Sequence, residues 1–164
     1  MGHGDREGWR DGWPRQLLGH GCVMCELIKA PDSSWAIQVH AGTYVRAYLP
    51  RTGSITGYTV AVWNGRHVAE PTELETAEAD GYWREVLRIG RAVAQTFEHA
   101  KMNYLTLGNS VPHLHTHIVP RPLLDPAPHR PLPWSYLDEG QQDEDHVVTA
   151  AIELQSAIIA AAGP

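Results

Sequence analysis

The sequence predicts an α+β domain built on an antiparallel sheet, with one long helix in its middle and a C-terminal helix. Three observations predict this class. Several short runs are rich in β-branched and aromatic residues, one long stretch has apolar residues at helical spacing, and strands and helices do not alternate regularly. A length of 164 residues and a hydrophobic fraction of 43% suit a single core.

The charge balance limits the classes of partner. The chain has 13 Lys and Arg residues against 19 Asp and Glu residues, a formal net charge of −6. This balance gives no general attraction to nucleic-acid phosphates or to an anionic membrane. No apolar run reaches the ~20 residues that a bilayer requires, and the start of the sequence lacks the apolar core of a signal peptide. We therefore expect a cytoplasmic protein that binds neither nucleic acid nor a membrane.

The sequence pattern of the first third of the chain predicts a leader and three strands. Residues 1–19 combine glycine, tryptophan and charged residues without periodicity, which predicts an irregular leader. Residues 35–40 and 44–49 are β-rich, and the glycine-containing spacer between them predicts a hairpin. Residues 58–63 are almost wholly apolar, which predicts a central buried strand.

The clearest predicted helix follows Pro71, where Thr72 is positioned to serve as the N-cap. Apolar residues recur along one face of this helix at steps of three and four. They are Tyr82, Val86, Ile89, Val93 and Phe97. The stripe predicts that the helix covers one face of the sheet.

The remainder of the chain predicts two strands, a loop and a last helix. Residues 101–107 and 113–120 are the strands, and the many prolines of residues 120–133 predict an extended surface loop. Residues 147–159 predict a helix with one apolar side. That side is formed by Val148, Ala151, Ile152, Ile158 and Ile159. We expect residues 123–164 to pack as a proline-rich loop and helix on the same domain.

The two cysteines, Cys22 and Cys25, have C-x-x-C spacing that admits three interpretations. They form half of a tetrahedral zinc site, a redox pair, or two small, partly buried hydrophobic residues. A structural disulfide is disfavoured because cytosolic thiols are kept reduced. The zinc site is favoured, since the thioredoxin-like βαβ pattern of a redox motif does not surround this segment.

Three histidines occupy alternate positions of a predicted strand. Because successive side chains of a strand point to opposite faces, His113, His115 and His117 should share one face, which we expect to be the exposed face of the sheet. Such a row has three functional interpretations: a metal site, a nucleophile towards phosphorus with two supporting imidazoles, or a general base that activates water. The fourth interpretation is a polar strand face without a function.

The loop before these histidines favours phosphorus chemistry. Gly108, Asn109 and Ser110 supply flexible backbone N–H groups, an amide and a hydroxyl, which are the donors that an anionic phosphate needs. A metal site would call for a further Glu or His shortly downstream, and residues 119–122 offer none. Imidazole suits attack on phosphorus, since it attacks as a neutral base and leaves readily.

Residues 113–119 match the H-φ-H-φ-H-φ-φ signature of the histidine triad (HIT) family, with Thr116 in a normally apolar position. Together with residues 101–112 they resemble bacterial members of the diadenosine tetraphosphate hydrolase-like kind. Residues 57–68 are similar to the family's G-H-T-L-V-I-P-K-R-H block. With the C-x-x-C motif, the resemblance implies a HIT-like catalytic domain over residues 20–122, and it implies a homodimer.

The resemblance implies a nucleotide hydrolase or nucleotidyl transferase that cleaves a nucleoside phosphoanhydride or phosphoramidate bond through a covalent nucleotidyl-histidine. His115 would be the nucleophile, and His117, His113 and Ser110 would complete the catalytic group. Asn109, Ser110 and His117 would hold the phosphate of the nucleotide substrate.

The resemblance also implies a structural zinc ion held by Cys22, Cys25, His67 and His113. The sequence departs from the family at residues 48–50, where the acidic or amide residue that contacts ribose is expected and no carboxylate is present. That departure motivates an alternative, a nucleotide- or zinc-binding protein that acts by interaction without catalysis. Trp134 and Tyr136, in the tail, could cover a base, but ordinary packing is the favoured interpretation.

Overall fold

The computed structural model of the protein describes residues 8–30 and 33–161. Its central element is one five-stranded antiparallel sheet with the spatial order β1-β2-β3-β5-β4. The strands are β1 (Ala36–Ala41), β2 (Val45–Pro50), β3 (Thr59–Trp63), β4 (Lys101–Leu107) and β5 (His115–Arg121). The predicted α+β class with an antiparallel sheet is confirmed.

Five helices accompany the sheet in the described part of the chain. They are α1 (Trp13–Leu17), α2 (Val23–Leu27), α3 (Thr76–Thr96), α4 (Ser135–Asp138) and α5 (Glu144–Ala160). None of these helices combines the length and the apolar content needed to cross a bilayer.

The beginning of the long helix differs from the prediction. Thr72 lies within a 3-10 turn (Pro71–Glu73), and α3 begins only at Thr76, so the prediction of Thr72 as N-cap was wrong. Glu75 is the N-cap, and its side chain and that of Glu78 exchange hydrogen bonds with each other's backbone in a capping box. A separate capping box caps the start of the preceding 3-10 turn. Two capping signals therefore follow one another in the sequence, and the second marks the start of α3.

The leader is not wholly irregular. Residues 1–7 lie outside the described residues, but α1 forms within the segment predicted to lack structure. Pro14 stands in the first turn of α1, where its missing N–H group costs nothing. The indole rings of Trp9 and Trp13 stack with their centroids 4.3 Å apart.

Two hydrophobic clusters cover the two faces of the sheet. One contains buried residues of α3 and α5 packed on one face, and it includes the predicted stripe from Tyr82 to Phe97. The other joins α2 and α4 to the opposite face through Met24, Leu27 and Leu137. Both faces are therefore covered, one by the long helices α3 and α5 and the other by the short helices α2 and α4.

The buried side of the last helix differs from the prediction. Val148, Ile152 and Ile159, which were predicted to be buried, are exposed. The buried positions of α5 are Val147, Ala150, Ala151, Leu154 and Ile158. Because this helix carries apolar residues on most of its sides, periodicity alone did not specify the side that faces β1 and α3.

Candidate functional site

Two of the three histidines lie on the face of the sheet that α2 and α4 cover. His115 pairs with Val62 of β3, and His117 pairs with Val60. Val60 and Val62 belong to the cluster beneath α2 and α4, so the imidazoles share that face. Each histidine is only 5% exposed, and the expectation of an exposed face was wrong because α2 and the tail cover it. Their ring centroids are 4.7 Å apart.

The third histidine, His113, precedes β5 and belongs to a different cluster of side chains. Its Nδ1 atom lies 3.5 Å from Sγ of Cys22 and 3.4 Å from Sγ of Cys25. The predicted row of three imidazoles along one strand is therefore divided, because the strand begins only at His115. His115 and His117 line a cavity that His113 does not line.

His115 has a defined tautomer. Its Nδ1 atom lies 2.6 Å from the carbonyl oxygen of His113. Because a carbonyl oxygen only accepts hydrogen bonds, Nδ1 carries the proton and Nε2 of the neutral ring carries a lone pair. Burial lowers the pKa of His115 below its ordinary value, so the neutral ring is favoured.

His117 is held by Tyr58 and Trp134. The Tyr58 hydroxyl lies 2.7 Å from Nδ1 of His117, and the Trp134 ring stands edge-on to the imidazole at a centroid distance of 4.8 Å. Burial, and the nearby His115, lower the pKa of His117 to about 3. Burial raises the pKa of Tyr58, so the phenol stays protonated beside the neutral imidazole.

Tyr58 was not assigned to the site from the sequence, and Trp134 was weighed as a cover for a base but assigned to packing. Tyr58 is two residues before Val60, the partner of His117, so the two side chains are diagonal neighbours on one face of the sheet. Strand register is the signal that could have identified Tyr58. Trp134 was expected to serve in ordinary packing, but it is 44% exposed and lines the histidine cavity. Only the return of the tail across the sheet brings it there.

The cavity around the two histidines has a volume of about 380 Å³. Gly108, Asn109 and Ser110 form part of its wall beside His115 and His117. The structure therefore brings the predicted donor loop and two of the predicted histidines together. Among residues 8–30 and 33–161, no Lys, Arg, Asp or Glu lines the cavity, so these residues offer an anion backbone N–H groups, an amide and a hydroxyl there.

The four residues of the predicted zinc site form one cluster. Cys22, Cys25, His67 and His113 each offer one ligand atom, and these atoms lie within 4.8 Å of one another. Nδ1 of His67 is 3.3 Å from Sγ of Cys25. A tetrahedral zinc ion, with bonds of about 2.3 Å to sulfur and about 2.0 Å to nitrogen, separates such ligands by about 3.5 Å. The spacing fits zinc.

Backbone carbonyl groups orient both imidazoles of this cluster. Nε2 of His113 donates to the Trp63 carbonyl oxygen at 3.0 Å, and Nε2 of His67 donates to that of Leu17 at 3.2 Å. Each ring therefore directs an unprotonated Nδ1 at the thiols, which is the arrangement that metal-binding histidines require. Without a cation, burial and the hydrogen bond with Cys22 raise the pKa of Cys25 to about 11. A bound cation would supply the charge that favours thiolates.

Local backbone geometry allows the leader to approach the cluster. Gly19 adopts a φ of +83°, a conformation that favours glycine, and a Cβ atom there would lie 3.1 Å from the His67 ring. Cys22 then serves as the N-cap residue of α2 and is 1% exposed. The turn from Gly19 to α2 thus brings both cysteines against residues that are far away in the sequence.

A family model described as the HIT domain matches residues 42–123. The curated relative "Protein hit" from Bacillus subtilis (strain 168) is 30% identical over 105 residues, which cover 61% of this chain and 70% of the relative. The chain therefore belongs to the histidine triad family, as the sequence motifs indicated. Proteins of this family bind nucleotides and are generally nucleotide hydrolases or transferases.

Solved structures show the same fold. A histidine triad protein from Bradyrhizobium japonicum is 24% identical, with a TM-score of 0.66 over 75% of this chain and 90% of that chain. A zinc-bound histidine triad family protein from Mycobacterium smegmatis is 20% identical, with a TM-score of 0.63 over 85% of this chain and 94% of that chain.

Proposed function

We propose that the protein is a nucleotide hydrolase or nucleotidyl transferase that cleaves a nucleoside phosphoanhydride or phosphoramidate bond through a covalent intermediate on His115. The observation that carries the proposal is the tautomer of this ring. Its Nδ1–H is held by the His113 carbonyl oxygen, which leaves a lone pair on Nε2 of a ring that lines the same cavity as the donor loop. Dinucleoside polyphosphates and adenylated amines are the substrate classes that we infer from the resemblance.

In the first step of the proposed reaction, Nε2 of His115 attacks the phosphorus atom that bears the nucleoside. The bond from phosphorus to the leaving oxygen or nitrogen breaks, and the leaving group departs with the bonding electron pair. The ring becomes positively charged as the P–N bond forms, and the hydrogen bond from Nδ1–H to the His113 carbonyl oxygen strengthens with that charge. The neutral starting ring is the form that burial favours.

The surrounding groups hold the phosphate in this proposal. Asn109 and Ser110 donate to the phosphate oxygens from the loop beside His115. The Tyr58 hydroxyl donates a hydrogen bond to Nδ1 of His117, so that Nε2–H of His117 donates to a phosphate oxygen or to the leaving group. In the second step, water attacks phosphorus, the P–N bond breaks, and the nucleoside monophosphate and the free imidazole are released.

A structural zinc ion at Cys22, Cys25, His67 and His113 is part of the proposal, because the ligand spacing and both tautomers fit it. Bound zinc would supply the positive charge that stabilises two thiolates. The side chain of His113 would then be fixed to α2, while its backbone carbonyl orients His115. A cytoplasmic location belongs to the same proposal, since cysteines bind zinc only where they stay reduced.

We also propose a homodimer formed along β4 and α3. β4 is an edge strand of the sheet, and an unpaired edge favours association. Four large apolar side chains near this edge are exposed: Trp83, Leu87, Tyr104 and Leu107. Gly90 of α3 lies against the Tyr104 ring, so the exposed residues of the helix and the strand are contiguous.

A turnover screen and a trapping experiment test the proposed activity together. The protein is incubated with adenine-labelled dinucleoside polyphosphates and adenylated amines, and one sample is denatured with base before an intermediate can be hydrolysed. We expect release of AMP and a protein-bound label that is stable in base and labile in acid. Tight binding of AMP without turnover or label would contradict the proposal and would favour the alternative of a non-catalytic nucleotide-binding protein.

A further inference from the structure

We propose that a second cavity, lined by three arginines of α3, binds a phosphomonoester. This cavity has a volume of about 590 Å³ and lies between α3, the turn after β1 and the end of α5. Arg84, Arg88 and Arg91 line it, and none of the described residues that line it also lines the histidine cavity. The helix α3 packs on the face of the sheet opposite to His115. The site is therefore independent of the proposed catalytic function.

The three arginines share one face of α3. Their spacing of four and then three residues places them along a single stripe of the helix. The chain as a whole is acidic, with a formal charge of −6, so this convergence of guanidinium groups contrasts with the rest of the surface. A positive cavity on a negative protein concentrates an anion at one place.

Arg88 lacks the partners that a half-buried guanidinium requires. Its Nε atom is buried and has no hydrogen-bond partner among the described residues. Its Nη2 atom lies 3.1 Å from Nε2 of His40, and the same nitrogen of His40 lies 3.3 Å from Oε2 of Glu85. One ring nitrogen cannot accept from a guanidinium and donate to a carboxylate at the same time, so one of these contacts is always unsatisfied.

Two carboxylates, those of Asp80 and Glu85, line the cavity together with the three arginines, so its lining keeps an excess of one positive charge. Within the described chain, none of the three guanidinium groups lies within 4.0 Å of a carboxylate oxygen. Glu85 also lines the cavity, but its oxygens accept the backbone N–H groups of Tyr44 at 3.3 Å and Val45 at 3.0 Å. The guanidinium groups therefore keep their charge available to an anion that enters the cavity.

A phosphomonoester matches this set of groups. Guanidinium groups bind phosphate oxygens through paired, charge-assisted hydrogen bonds, and a phosphomonoester carries nearly two negative charges at neutral pH. The cavity also has uncharged walls at Ala77, Gly81 and Tyr44, which leave room for the organic part of the ester. We therefore expect a small phosphorylated metabolite to bind more tightly than inorganic phosphate.

The test measures binding of glycerol 3-phosphate and of inorganic phosphate by calorimetry at constant ionic strength, with chloride as the competing anion. Arg88→Gln should weaken the binding of glycerol 3-phosphate at least tenfold, and the double variant Arg84→Gln/Arg91→Gln should weaken it by a similar factor. Both residues of the double variant are exposed or border solvent, so that variant keeps the fold even where Arg88→Gln loses stability. The exposed Arg15→Gln is the matched control and should bind as the wild type does.

A further variant separates this cavity from the proposed catalytic site. Asn109→Ala/Ser110→Ala removes the donors of the histidine cavity and leaves the arginines in place. We expect this variant to retain the binding event that Arg88→Gln loses. If binding disappears in Asn109→Ala/Ser110→Ala and survives in the arginine variants, the arginine cavity is not a phosphate site, whatever the outcome for the proposed activity.

Discussion

The carbonyl oxygen of His113 accepts a hydrogen bond from Nδ1 of His115 over 2.6 Å. One residue thus joins the two candidate sites, because the side chain of His113 belongs to the Cys/His cluster while its backbone orients the proposed nucleophile. The position of this carbonyl determines which nitrogen of His115 carries the proton. The Cys/His cluster therefore helps to orient His115, the proposed nucleophile, without lining the histidine cavity.

Loss of one thiol should remove both zinc and stability. We expect Cys22→Ala to bind less than one tenth of the zinc of the wild type, and we expect its melting temperature to fall by on the order of 10 °C, since a buried ligand is lost. Elemental analysis and thermal unfolding measure the two effects. The adjacent, exposed Val23→Ala is the control. Full melting temperature in Cys22→Ala protein treated with a chelator would refute the zinc proposal.

Removal of a single hydroxyl tests the role of Tyr58. We expect Tyr58→Phe to lower kcat by on the order of tenfold with little change in KM, because the variant loses the hydrogen bond to Nδ1 of His117 that orients the ring in the proposed mechanism. Tyr136→Phe is the matched control, since Tyr136 packs in the same hydrophobic cluster and its hydroxyl has no described partner. Equal kcat values for the two variants would show that Tyr58 has no positioning role.

The buried neutral His117 makes stability depend on pH. Its pKa is about 3 in the folded protein, against 6.5 for an exposed imidazole, because burial and the nearby His115 disfavour the charged form. Between these values the unfolded chain binds a proton that the folded chain does not, so stability is lost as the pH falls from 6.5 towards 3. The contribution of His117 has a slope of at most about 1.4 kcal/mol per pH unit.

Denaturant unfolding of the wild type and of His117→Gln at several pH values measures this effect. The variant should lose stability less steeply below pH 6.5, because glutamine does not take up the proton. Parallel stability profiles for the two proteins would show that His117 is protonated as easily in the folded chain as in the unfolded chain.

A charge on the apolar surface of α3 tests the proposed homodimer. Leu87 is 46% exposed on the side of α3 that lies near Tyr104. We expect Leu87→Glu to convert a dimer to a monomer in light scattering, because a carboxylate in an apolar interface is costly. The control is Ile152→Glu on α5, where an exposed apolar residue lies on another helix. A wild-type protein that is monomeric at micromolar concentration would contradict the dimer proposal.

The features of the fold that depend on local periodicity could be predicted from the sequence. The run from Lys101 to Leu107 forms β4 with the predicted bounds, and the apolar stripe from Tyr82 to Phe97 is buried. The start of α3 was wrong because two capping boxes follow one another, and only tertiary packing determines the buried side of α5. Local signals compete at the start of α3, and local periodicity does not identify the buried side of α5.

The site was predictable where its residues are neighbours in the sequence. Asn109, Ser110, His115 and His117 lie within nine consecutive positions and share one cavity. Tyr58 and Trp134 approach that cavity only through strand register and through the path of the tail, so no local motif indicated them. The Cys/His cluster was anticipated through resemblance to the family, because its four residues span more than half of the chain.

The most direct measurement is the position of the covalent adduct. Protein quenched during turnover of an adenylated substrate is digested at alkaline pH, and the modified peptide is sequenced by mass spectrometry. We predict AMP on His115 and on no other residue, with no adduct in His115→Ala. An adduct on His117, or full turnover by His115→Ala, would contradict the assignment of His115 as the nucleophile.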